Sequence, residues 1–183
     1  MTEPNSPYDT GLDKNPANYQ PLSPLSFLER AARVYPRSTA VVHGERSWTY
    51  GELYSRCRRL ASALADRGIG VGDTVAIVAP NVPVMLEAHY GVPMTGAVLN
   101  TINIRLDAAA IAFILDHGEA RVVIVDPEFA EVTRQALSLA TAKPLVVDID
   151  DPEFPTVAIG EIGYEAFIAG GDQDFAWTLP ADE

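Results

Sequence analysis

Short apolar runs that do not alternate, set between stretches with helical spacing, predict an α/β fold: a doubly wound, mostly parallel sheet with helices on both faces. An extended Pro-rich arm and a β-hairpin precede it. Bulk composition agrees, since 48% of the 183 residues are hydrophobic, enough to bury a sizeable core in one domain with appendages. The expected division is an arm over residues 1–24, an α/β body over 25–148 and an acidic linker over 149–183.

Six of the fourteen prolines lie in residues 1–36, and the first stretch mixes them with Asn, Ser, Asp and Tyr in no regular period. Such an arm is either disordered or docked, and Tyr8, Tyr19, Leu22 and Leu25 give it apolar handles; a partner subunit is one dock. Helical spacing begins at Leu25, Phe27, Leu28, Ala31 and Ala32 and stops before Pro36. Residues 40–43 and 47–50 then flank Gly44-Glu45-Arg46, a three-residue connection that suits a hairpin. Thr49 and Glu52 have capping-box spacing and open a helix with Leu53, Cys57, Leu60, Ala61 and Leu64 on one stripe, ending at Gly68.

Strand and helix alternate from there. Thr74–Ala79 reads as a strand, Asn81–Met94 as a helix and Gly96–Leu99 as a second strand. Asp107 caps a helix through Asp116, and Arg121–Val125 is a third strand. Asp126-Pro127-Glu128 starts a helix running to about Ala140, with Asp as cap and Pro at its first position, before a fourth strand at Leu145–Val147. Beyond Asp148 the pattern dissolves into acidic and Gly-rich segments around a short apolar turn at Tyr164–Ala169.

Charge narrows the function. The net charge of −12 excludes a binder held by phosphate neutralisation, so no nucleic-acid partner is expected. It is also uneven: residues 1–143 carry 15 acids and 13 bases, residues 144–183 carry 10 acids and no Lys or Arg. The single Cys57, the lack of a secretory start at Met1 and the absence of a long apolar run lead to a cytoplasmic expectation with no transmembrane segment.

No side chain stands out as catalytic, cofactor-binding or metal-ligating, so all three sets are expected to be empty. Gly68-Ile69-Gly70-Val71-Gly72 ends a helix and leads into a strand, the reverse of a dinucleotide loop, and reads as a C-cap and turn. The two lysines, Lys14 and Lys143, lie in no Gly-rich loop. Cys57 reads as a buried thiol, His117 as a cation at a helix C-terminus, and His89 as a satisfied core histidine. Asp148, Asp150 and Asp151 lack calcium-loop spacing and read as a solvated turn; Arg56, Arg58, Arg59 and Arg67 read as one helix's wet face.

Two stretches go beyond composition. Ser47-Trp48-Thr49-Tyr50-Gly51-Glu52-Leu53 resembles the first core motif of the adenylate-forming superfamily, and residues 94–103, Met-Thr-Gly-Ala-Val-Leu-Asn-Thr-Ile-Asn, resemble its second. Residues 60–64, 72–76 and 79–81 match the linking segment in order, so the resemblance spans about 22–147. It is nearest to bacterial acyl-CoA synthetases of the fatty-acid or methylmercaptopropionate ligase type, through Ala88-His89-Tyr90-Gly91-Val92-Pro93 and residues 99–107.

The resemblance implies a parent that uses ATP and Mg²⁺ to turn a carboxylate into an acyl-adenylate, then passes it to CoA. It also implies that the phosphate loop, adenine segment and catalytic lysine lie beyond Glu183, leaving no cofactor in this fragment and no activity for it alone. It further implies a homodimer through the N-terminal arm. Two alternatives stay open: a stand-alone α/β binding or dimerisation module, and a piece of another adenylating enzyme.

Overall fold

The computed structural model describes residues 15, 17, 19, 23–150 and 157–178. Most of the arm, including Tyr8 and Leu22, and Asp151 lie outside the described residues. Helix α1 (Pro24–Val34) starts where the Ser23 hydroxyl accepts from Leu25 N, with Pro24 in the first turn, and buries Leu25 and Leu28. Strands β1 (Thr39–His43) and β2 (Arg46–Thr49) form the hairpin. Arg46 pairs with His43, so the connection is the two residues Gly44-Glu45 rather than three. Gly44 permits this by taking φ +57°.

Helix α2 (Tyr50–Ala65) has the capping box in full: Glu52 N donates to Thr49 Oγ1 at 3.3 Å and Thr49 N to Glu52 Oε2 at 2.7 Å. Beyond it, β3 (Thr74–Val78), β4 (Val98–Thr101), β5 (Ala120–Val125), β6 (Leu145–Asp148) and β7 (Ile162–Gly163) form one sheet in the order β4-β3-β5-β6-β7, every pair parallel. Helices α3 (Pro83–Gly91), α4 (Ala108–His117), α5 (Ala130–Leu139) and α6 (Tyr164–Ala169) complete the α/β fold.

The period-two alternation sorts the core. Val75, Ile77, Val122, Ile124 and Val147 face the layer of α2, α3 and α6, whereas Ala76, Val78, Val123, Val125 and Val146 face α4 and α5. Each such side chain taken fully from water is worth about 1.5–3 kcal/mol. A third cluster joins α1, the hairpin and α2 around Leu25, Leu28, Leu53 and Cys57.

Prolines and glycines move three boundaries. The helix expected over 81–94 stops at Gly91, because Pro93 offers no N–H, and a 3₁₀ turn at Pro93–Thr95 follows. Gly96 closes that turn at φ +81°, so the next strand starts at Val98, not Gly96. Pro127–Phe129 likewise forms a 3₁₀ turn before α5.

The largest departure is the acidic segment read as a linker. Within it, β7 extends the sheet and α6 buries Tyr164, Phe167 and Ile168. Asp148 is half-buried rather than solvated, because Ile159 N and Gly160 N of the returning chain donate to it; Asp150 stays exposed and accepts from Glu165 N through Oδ2.

Gly91 lies where α3 crosses α2, and a Cβ there would stand 2.7 Å from Leu60 Cδ2 and 2.8 Å from the Cys57 carbonyl. Gly91→Ala is expected to lower stability in urea unfolding by about 1–3 kcal/mol through overpacking. Gly70→Ala, whose nearest neighbour would be 3.9 Å away, should stay within about 0.5 kcal/mol of the parent chain.

Candidate functional site

Two features stand out once the helices are placed. The first is a charged cluster between α2, α3 and α6. Glu87, the one acid of α3, is only 1% exposed. Arg56 Nε of α2 donates to Glu87 Oε1 at 2.6 Å, and the Tyr164 hydroxyl donates to Glu87 Oε2 at 2.8 Å. The other edge of the Arg56 guanidinium donates twice to Glu165, at 2.6 and 3.0 Å. Burial pushes the Glu87 carboxyl up, against the lowering effect of Arg56 and Tyr164. Burial opposes the Arg56 charge, yet the bonds to Glu165 and Glu87 outweigh it and hold the guanidinium above its ordinary value.

The second feature is an apolar groove of about 470 Å³ between the hairpin and α3, opening where the chain leaves β3. Open α/β sheets hold ligands at this end of their strands. Val42, Met85 and Leu86 supply apolar wall, and His43, Asn81 and His89 the polar groups. His89 is exposed on the groove rather than a core residue. Its Nδ1 stands 2.7 Å from the Met85 carbonyl, which only accepts, so Nδ1 carries the proton and Nε2 is left to the groove.

Cys57 is buried as expected, and burial drives its thiol well up, which leaves it no nucleophile. His117 closes α4 and stacks on Phe113 with ring centroids 5.5 Å apart. Arg56, Arg58 and Arg59 are half-buried under the returning chain rather than a wet face, whereas Arg67, past the end of α2, stays exposed. Arg58 Nε donates to the Phe175 carbonyl at 3.0 Å, Arg59 Nη1 to the Gly171 carbonyl at 3.1 Å, and Arg67 lies over the Phe167 ring at 4.5 Å. Sequence reasoning missed Glu87, although a lone acid in an otherwise apolar helix signals a buried partner.

The described residues do not fit a nucleoside triphosphate. In the Gly68–Gly72 loop, Gly70 N already donates to Asp73 Oδ2 at 2.8 Å, which sets a carboxylate where a phosphate would go. Lys143 Nζ is spent on the Ala140 carbonyl at 3.0 Å, and Lys14 lies outside the described residues. Among the described residues no group of three or more His, Cys, Asp or Glu could hold a metal ion.

A family profile for AMP-binding enzymes matches residues 28–166. The chain belongs to the AMP-binding enzyme family. It is 51% identical to the peroxisomal acetate/butyrate–CoA ligase AAE7 of Arabidopsis thaliana, over 94% of the chain and 32% of that relative. It is 49% identical to the acetate–CoA ligase CCL3 of Humulus lupulus, over 94% of the chain and 33% of that relative. The fold matches that of the anthranilate CoA ligase AuaEII, solved with anthranoyl-AMP, at a TM-score of 0.77 and 21% identity, over 84% of this chain and 29% of that one.

The chain thus spans about a third of the length of the curated relatives it matches. As a member of this family it carries both core motifs on structural duty. Thr49 and Glu52 cap α2, and Gly96 packs on Val71 of the preceding loop, where a Cβ would meet Cγ2 at 2.6 Å, rather than on a strand.

Arg56→Met removes the partner of a buried carboxylate and is expected to cost about 3–5 kcal/mol at neutral pH. The sign with pH follows from Glu87. A carboxyl whose folded value is raised binds protons more readily than the unfolded chain, so stability falls as pH rises above its ordinary 4.5. Without Arg56, burial acts unopposed by that cation and the fall steepens. Denaturant curves of the variant at pH 4.5 and pH 8 should show the larger deficit at pH 8.

Proposed function

We propose that these 183 residues are the N-terminal part of an ATP-dependent acyl-CoA ligase that converts a carboxylic acid to an acyl-adenylate and then to its CoA thioester. One observation carries the proposal: identity of 49–51% to two named CoA ligases, maintained over 94% of the chain. ATP, Mg²⁺ and CoA are used by that parent. We place the residues that hold them outside this chain, a reading supported by the loop already occupied by Asp73.

The acid is a short one. Three relatives at 41–51% identity are named for acetate, butyrate and 2-methylpropanoate, while two at 40–42% are named for trans-cinnamate and benzoate. Methylmercaptopropionate, from the bacterial fatty-acid branch nearest in motif, is also a short carboxylate. The names of these relatives favour a CoA ligase over a peptide-synthetase or luciferase-like adenylating enzyme.

A cytoplasmic setting remains the proposal; among the described residues no helix is long and apolar enough to cross a membrane, and the peroxisomal address belongs to the relatives' names. A homodimer through residues 1–24 rests on an arm that lies almost entirely outside the described residues.

The test compares two proteins. The full-length parent, given ATP, Mg²⁺ and CoA, should form thioesters from acetate and butyrate with higher kcat/KM than from hexadecanoate. The 183-residue chain alone should catalyse no ATP–pyrophosphate exchange with any of these acids. Exchange by the short chain would overturn the division of labour, and a parent that adenylates only amino acids would overturn the acyl-CoA assignment.

A further inference from the structure

After α6, residues 170–178 run over α2 without regular structure, and the two halves of the returning chain are buried to different depths. Tyr164, Phe167 and Ile168 are 0–3% exposed, so the α6 half belongs to the core. Gly171 is seated tightly on α2, with no room for a Cβ against the Arg59 carbonyl. Beyond it no described side chain is fully buried.

Half-buried Phe175 and Trp177 pack against the edge of the apolar cluster of α1 and α2, and polar anchors fix the rest of 172–178. Arg58 Nε donates to the Phe175 carbonyl at 3.0 Å, Arg59 Nη2 to Gln173 Oε1 at 3.2 Å, and Trp177 Nε1 to the Tyr54 hydroxyl at 2.9 Å. The Arg58–Asp174 pair at 3.5 Å adds little, because Asp174 is 78% exposed. An open cleft of about 700 Å³ lies between α1 and α2, with Arg33 and Tyr54 on its walls and Phe175 and Trp177 at its side.

We propose that residues 172–178 form a latch that lifts from α2 as one unit while α6 stays in the core, with Arg58 and Arg59 as its fastenings and Gly171 as the fixed end. Lifting widens the α1–α2 cleft and frees the Arg58 guanidinium and one edge of Arg59, whose other edge stays on the Gly171 carbonyl. The inference rests on this geometry alone and holds whatever acid the parent activates.

The latch is tested in the full 183-residue chain carrying Trp48→Phe, which leaves Trp177 as the sole indole of the original two. In that background Arg58→Met/Arg59→Met should raise amide hydrogen exchange at residues 173–178 about tenfold or more, the scale set by losing charge-assisted hydrogen bonds. Acrylamide quenching of Trp177 should approach that of a free indole. Amides of β3, β5 and α6 should keep their protection. Tyr54→Phe, which leaves both arginines in place, should raise exchange at the same amides by a smaller factor. Unchanged exchange and quenching, equal loss of protection across α6, or failure of the double variant to fold would each overturn the latch as a separable unit.

Discussion

Glu87 is a carboxylate inside a helix layer, and that layer cannot be assembled without satisfying it. An unpaired charge at 1% exposure would cost several kcal/mol, a large share of the roughly 5–15 kcal/mol margin of a domain this size. Its two oxygens are met by Arg56 from α2 and Tyr164 from α6, so one acid on α3 fixes the rotation of two other helices. Arg56 must itself be satisfied, and its outer edge takes Glu165. Buried pairs of this kind add little net stability over an apolar replacement. Their effect here is geometric: α2 can turn only one way, with Leu53, Cys57, Leu60 and Leu64 inward and Arg58 and Arg59 toward the returning chain.

The orientation of α2 brings part of the acid of the C-terminal segment against bases from early in the chain. Residues 144–183 have no base, but Glu165 and Asp174 lie against arginines of α2, and Asp148 and Asp150 accept backbone N–H groups. The imbalance along the chain is thus partly cancelled in space.

What was legible in the sequence was local. The Thr49–Glu52 box, the Asp107 and Asp126 caps and the alternation of apolar runs with helical spacing each depend on neighbours within a turn or a strand, and each stands where expected. What was missed depends on what lies across. Periodicity placed the arginines on one face of α2 but held no signal that a chain more than a hundred residues later would cover that face. Strand β7 has two residues, too few for any period, and is specified by its neighbours, Asp148 among them. His89 was misassigned because an apolar helix implies burial on every side, whereas the groove beside the hairpin leaves one side open.

The same distinction separates the family from its chemistry. Both core motifs are conformational devices in this chain, a helix cap and a tight glycine turn. Resemblance at such positions identifies a scaffold, since the scaffold is what those residue types are needed for. Reaction chemistry would require cations around a phosphate, and here the arginines of α2 are turned to other work. Arg56 neutralises Glu87, while Arg58 and Arg59 hold backbone oxygens of the returning chain. Apolar burial of Tyr164, Phe167 and Ile168, at about 1.5–3 kcal/mol each, exceeds what the exposed ion pairs of that segment supply. Packing therefore holds the returning chain on the body, and the arginines decide its path.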